Sequence, residues 1–248
     1  MSLSAWQTAI TTLVMAASVS DGSELDSGAT AQLDLSDSER RCLARCLGSA
    51  GLRVTSTIRR SWRAASLRRT ARLTLGALPE PQRTDLLDDW LNRSNIGSFY
   101  YASEAESFLG HAVRQMSGRV NLVARFELAA YRSFSAHVST ATRAAAEIRS
   151  GSTFIHHPAA DLVEFWAQPT RILAAAARGE PLPLALEGCF PVLVAPGIAG
   201  LARDATETEV LIWSATAVPV RLEVLAGAYP GGDGATMELA RIGAIVTV

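Results

Sequence analysis

Cys189-Phe190-Pro191-Val192-Leu193-Val194, the turn signals Pro196-Gly197 and Ala199-Gly200, and then Leu201-Ala202-Arg203-Asp204-Ala205-Thr206-Glu207-Thr208-Glu209-Val210-Leu211-Ile212-Trp213 form the stretch that decides how this chain is read. A short apolar run that ends at turn residues has the make-up of a buried strand. Leu201-Ala202-Arg203 follows as a short second strand. Thr206, with Glu209 three residues on, is a capping box and predicts a helix carrying Val210, Leu211 and Trp213. The order is strand, turn, short strand, helix. On this reading Cys189 enters a buried strand with no neighbouring base, so packing rather than nucleophilic catalysis is its expected role.

Working outward, β-like runs at Ser152 to His156 and Leu162 to Trp166 precede this stretch, with prolines between or beside them. Two short helices, Val218 to Ala228 and about Asp233 to Arg241, follow it, separated by Gly231-Gly232, and Ala244 to Val248 closes the chain as an apolar run. Before Gly151 the pattern is helical. Ser36-Asp37-Ser38-Glu39 is a capping box ahead of Leu43 and Leu47. A second helix places Ile58, Trp62, Ala65, Ala71, Leu75 and Leu78 inward and leaves Arg59, Arg60, Arg63, Arg68, Arg69 and Arg72 on its exposed side. Asp85 to Asn92 turns Leu86, Leu87, Trp90 and Leu91 inward. A third capping box, Ser103 to Glu106, starts a helix with Phe108, Leu109, Ala112, Val113 and Met116 inward. The longest helix runs from about Val120 to Ile148, with Gly151 as its C-cap. The fold class expected is α+β, a helical domain over residues 1–150 followed by a small domain over residues 151–248.

Composition narrows the chemistry. All 23 basic residues are arginine, so Schiff-base and P-loop lysines are excluded. Residues 1–39 carry six acids and no base, whereas residues 40–79 carry ten arginines and no acid, which makes a strong local field. The odd set Cys42, Cys46 and Cys189 is a poor disulfide framework and fits a reducing compartment. The apolar run Ala9 to Ala17 lacks a basic flank and is shorter than a membrane span, so the expected protein is cytoplasmic and free of the membrane.

His156-His157, His111 and His137 show no metal-ligand spacing, and no metal is assigned. A hydrolase or transferase using His156 or His157 ranks last among the functional readings. The arginine-rich helix admits a solvated face paired with the acidic N-terminal stretch, an acidic protein or peptide partner, or nucleic acid. The last lacks the interleaved aromatics of a stacking platform. Phe99-Tyr100-Tyr101, just ahead of a helix, is a candidate set of interface anchors or a hydrophobic staple.

The stretch from Pro191 to Trp213 resembles the peptide-recognition element of ribosomally made peptide pathways, typified by the pyrroloquinoline quinone chaperone. The segments Phe99-Tyr100-Tyr101-Ala102-Ser103-Glu104-Ala105, Leu122-Val123-Ala124-Arg125-Phe126-Glu127-Leu128-Ala129 and Phe154-Ile155-His156-His157-Pro158 are similar to partner proteins of the multinuclear non-haem iron oxidases of 3-thiaglutamate or methanobactin biosynthesis. This resemblance implies a winged-helix-like module, a β-hairpin followed by three helices, in which a leader peptide adds to the edge strand. Carried onto this chain, Leu201, Ala202 and Arg203 form that edge, and Ala235, Glu238, Leu239 and Arg241 line the groove helix. The partner interface falls on Arg59, Arg63, Phe99, Tyr100 and Tyr101. The chain is then a non-catalytic subunit of a heterodimer. Its iron belongs to the partner oxidase, no cofactor is its own, and the bound ligand is a precursor-peptide leader. The competing reading, a winged-helix DNA-binding regulator, is disfavoured because Asp233 to Arg241 carries one arginine and two acids.

Overall fold

The computed structural model describes residues 7, 9, 10, 36–47, 49–93, 101–140 and 151–248. In chain order their elements are α1 (Asp37–Leu47), α2 (Ala50–Thr70), α3 (Arg72–Gly76), α4 (Glu80–Arg93), α5 (Tyr101–Gln115), α6 (Gly118–Thr140), β1 (Thr153–His156), β2 (Asp161–Phe165), α7 (Pro169–Arg178), β3 (Phe190–Val194), β4 (Ala202–Asp204), α8 (Glu207–Ala215), β5 (Val220–Arg221), α9 (Leu222–Ala228), α10 (Gly232–Arg241) and β6 (Ile245–Thr247). The fold is mixed α and β, with two antiparallel sheets ordered β5-β1-β6 and β2-β3-β4. The chain divides into two compact units, one of Met1–Thr70 with Glu80–Ala105, the other of Ala71–Pro79 with Glu106–Val248. Strands do begin just after Gly151, but α6 belongs with them and not with a separate helical half.

In the first unit, α4 turns Leu86, Leu87, Trp90 and Leu91 inward, as its periodicity predicts. Of the inward residues expected for the second helix, Ala71, Leu75 and Leu78 lie beyond α2 and are buried as expected, but within α2 itself the pattern is reversed. Its buried residues are Ser56, Arg63, Ser66 and Leu67, while Ile58 and Trp62 are 53% and 66% exposed. The cause is charge pairing. With no acid between residues 40 and 79, the arginines of α2 find their carboxylates on neighbouring helices. Arg60 donates to Asp88 at 2.7 Å and to Asn92 at 2.8 Å. Arg63 Nε donates to the buried Glu104 at 3.0 Å, with its guanidinium 5.0 Å from the Trp90 ring. The Ser103–Glu106 box is not a cap, because α5 starts at Tyr101 and Glu104 turns inward to Arg63. The Ser36–Glu39 box does form: Ser36 N–H donates to Glu39 at 2.7 Å, and Glu39 N–H donates to Ser36 Oγ at 3.4 Å.

In the second unit, alternation along β3 separates two cores. Val192 and Val194 join Val163, Phe165 and Ile172 on one face, where Val123, Phe126 and Ala129 of α6 pack. Leu193 and Ala195 face the other way, toward Phe154, Ile212, Trp213, Leu225, Leu239 and Ile245. Sheet β5-β1-β6 and helices α8, α9 and α10 thus share the second core. Helix α7 is not among the elements expected from the sequence. Its signals are Pro169 at the first turn and the left-handed C-cap Gly179, around buried Ile172, Ala175 and Ala176. Buried Glu127 of α6 accepts from the N–H groups of Leu73 and Thr74 at 2.8 and 2.7 Å, capping α3 from outside the helix. Burial pushes its carboxyl up, against those donors.

Candidate functional site

The site builds from β4. Its register with β3 pairs Val192 with Asp204, Leu193 with Arg203 and Val194 with Ala202. Flanking bonds run from Ala195 N–H to Leu201 O and from Ala205 N–H to Pro191 O. In an antiparallel ladder alternate residues turn their backbone groups toward the partner strand. Leu201, Arg203 and Ala205 therefore face β3, and Ala202 and Asp204 face outward. Strand β4 is an edge of its sheet. The Asp204 carbonyl on that edge accepts from Arg203 Nη1 at 2.9 Å. The two groups of Ala202 and the Asp204 N–H make no backbone bond among the described residues.

The edge residues correct the expected ones by one position. Leu201 is a turn residue with φ of 70°, and its N–H and carbonyl are both used, by Ile198 and Ala195. The strand is Ala202–Asp204. What places the hairpin beside α10 is Gly197, whose N–H donates to Ile242 O at 2.8 Å. A Cβ there would lie 2.8 Å from the Ile242 backbone, so no larger residue fits.

Arg203 projects toward the helices, and its guanidinium grips Glu209 at 2.5 and 2.9 Å. Glu209 also completes the capping box of α8 by accepting from Thr206 N–H at 2.8 Å. Burial opposes ionisation of Glu209, but Arg203 and the Thr206 donors outweigh it and hold the carboxyl below the ordinary glutamate value. On α10, Arg241 and Glu238 form a two-pronged pair at 2.7 Å. The Arg203 guanidinium is held charged first by its bond to Glu209, and the Glu238 carboxylate adds a smaller attraction. Arg203, Glu238 and Arg241, three of the residues expected to contact a peptide, thus fall into two ion pairs, Arg203 with Glu209 and Arg241 with Glu238, whose charges act on one another. Ala235 is half-buried against the core. Leu239 is fully buried there and cannot line a groove, a correction that follows from its place opposite Ile212 and Leu225.

The residues expected at a partner interface fare differently. Arg63 is buried and committed to Glu104, which removes it from any docking surface. Arg59 is half-buried, and desolvation followed by the nearby Arg63 lowers its pKa. Phe99 and Tyr100 lie outside the described residues, and Tyr101 opens α5.

His156 stacks on Trp213 at 3.8 Å between ring centroids and donates through Nε2 to the Trp213 carbonyl at 2.6 Å. His157 Nδ1 accepts from Ala159 N–H at 3.0 Å, and burial lowers its pKa. Both rings therefore have structural partners. Among the described residues no group of three or more His, Cys, Asp or Glu side chains gathers as metal ligands do. Cys189 is exposed rather than buried, because β3 begins one residue later. Residual desolvation and the Glu164 carboxylate push its thiol up, away from the reactive thiolate. No described helix is long and apolar enough to cross a membrane. No protein-family model matches the chain, and no curated protein matches it.

Proposed function

We propose that this chain is the non-catalytic, cytoplasmic partner of a multinuclear non-haem iron oxidase, and that it binds the leader of a ribosomally made precursor peptide and presents its cysteine for oxidation. The observation that carries the reading is the open edge of β4, where the backbone groups of Ala202 and Asp204 face outward. A leader can extend the sheet there by β-augmentation, with affinity from main-chain bonds and selectivity from flanking side chains. Arg203, Glu238 and Arg241 are those flanking groups. The winged-helix-like comparison is supported by element order: β2, β3 and β4 form one sheet, and α8, α9 and α10 follow, with α7 inserted after β2. Tethering the leader raises the effective concentration of the reacting cysteine without tight contacts at the cysteine itself.

The test is co-expression with a candidate iron oxidase and precursor peptide, followed by affinity capture of this chain. Asp204→Pro removes one outward N–H and blocks strand addition, while leaving the inward Leu193–Arg203 pairing intact. The expected result is that the wild-type chain retains both partners and that the proline variant loses the peptide but keeps the oxidase. Capture of neither partner by the wild-type chain, or undiminished peptide capture by the variant, overturns the reading.

A further inference from the structure

The inverted helix α2 carries a surface that the leader site does not use. Val54, Ile58 and Trp62 are 58%, 53% and 66% exposed, and their four-residue spacing stacks them on one face. Ala65 continues the same face and is also exposed. The stripe covers about 17 Å at 1.5 Å per residue. An exposed tryptophan in line with two β-branched aliphatics is not the scatter of single apolar residues that any surface shows. Arg68 and Arg69 stand exposed at the C-terminal end of the stripe, and Arg53 is exposed at its N-terminal flank. None of these three is in an ion pair among the described residues, whereas the inward Arg60 and Arg63 both are. Among the described residues the surface is therefore an apolar ridge with cations beside it that form no ion pair.

We propose that this face docks an acidic amphipathic helix of another protein, with aliphatic side chains against Val54, Ile58 and Trp62 and carboxylates against Arg53, Arg68 and Arg69. Charge selects the occupant. A second copy of α2 would bring the same arginines against themselves, and like charges across an interface oppose association. A nucleic acid would use the arginines but has nothing to place on the Val54–Ile58 aliphatics. Trp62, large and central, is the expected anchor.

The test uses the full chain and two synthetic 20-residue helical peptides with leucine at positions i, i+3, i+4 and i+7. One has glutamate at the remaining exposed positions and the other lysine, and each is labelled for fluorescence anisotropy. The glutamate peptide is expected to bind, to weaken as salt rises and to lose at least ~10-fold in affinity with Trp62→Ala. Ile58→Ser, which changes an exposed residue and leaves the fold in place, is expected to weaken it several-fold. The lysine peptide is expected not to bind. Several outcomes overturn the proposal: no binding of the glutamate peptide, equal binding of both peptides, or binding indifferent to both substitutions. Binding that appears only when Asp21, Glu24, Asp26 and Asp34 are changed to Asn assigns the face to the chain's own acidic stretch. A dimer in sedimentation that Trp62→Ala dissolves assigns it to self-association, and tighter binding of a random DNA duplex than of the glutamate peptide assigns it to nucleic acid.

Discussion

Helix α2 and strand β3 carry equally clear apolar patterns, yet only one of them faces the way its pattern suggests. In β3 the alternating residues split between two cores, and Leu193 and Val194 are fully buried. In α2 the apolar positions 54, 58 and 62 point outward, and Arg63 is buried. The difference lies in what each element must satisfy. A strand in the middle of a sheet has its backbone paired on both sides, and its side chains need only fill space. An arginine-rich helix without local acids must reach carboxylates elsewhere, and the geometry of Asp88 and Glu104 overrides the apolar stripe. Hydrophobic periodicity predicts orientation when apolar burial outweighs the other forces on an element. It fails when a charged helix has fixed partners on one side.

The sharpest way to break this comparison is to remove a charge from the inverted helix. Arg63→Ala leaves Glu104 buried and unpaired, and is expected to cost about 3–5 kcal/mol in denaturant unfolding. A loss below about 1 kcal/mol, the range of an exposed pair, would show that this contact does not set the orientation of α2. In the sheet, Leu193→Ala opens a cavity in the core it shares with Phe154, Ile212, Leu225 and Leu239 and is expected to cost about 2–5 kcal/mol. Ile58→Ala, a comparable truncation on α2, is expected to stay within about 0.5 kcal/mol because the side chain is exposed. Similar losses for the two would contradict the inversion directly.

Much of the second unit is legible because its signals are local. Thr206 and Glu209 form the capping box their spacing announces, and the three strands expected at 152–156, 162–166 and 189–194 appear within a residue or so. Strand β5 is not legible: Val220-Arg221 is two residues long and takes its extended form from pairing with Thr153 and Phe154, far away in sequence. In the first unit the short helix around Leu86–Leu91 is read correctly, whereas α2 is reversed, because a single sequence does not reveal which acids the arginines will meet. The candidate site follows the same divide. The edge strand is located to within one residue, but Leu239 is misplaced, since only the packing of α10 against α8 and α9 shows that position to be internal.

Two smaller changes sharpen the local end of the comparison. Gly197→Ala sets a methyl group against the Ile242 backbone and is expected to cost about 1–3 kcal/mol, with weakened leader capture because the hairpin shifts from α10. Thr206→Ala removes the side-chain half of the α8 cap and is expected to cost about 1 kcal/mol, read as a lowered Tm.

The smallest effect concerns a turn beside the sheet. His157 Nδ1 accepts the Ala159 N–H, so protonating that nitrogen destroys the bond, and burial already disfavours the charged ring. The folded-state pKa lies below the ordinary histidine value of about 6.5, so below that pH the unfolded chain binds the extra proton first. The neutral ring's contribution is complete above about 6.5 and is lost as pH falls through the lowered folded value. Asparagine in a turn supplies an uncharged acceptor to the N–H two residues on and suits the position before Pro158. His157→Asn is therefore expected to match wild-type stability at pH 7.5 and to lose less of it between pH 7 and pH 5.5, compared by urea unfolding. Identical slopes for the two proteins would mean that the acid sensitivity of the fold arises elsewhere, and that this histidine, like Ile58, sits where its environment asks little of it.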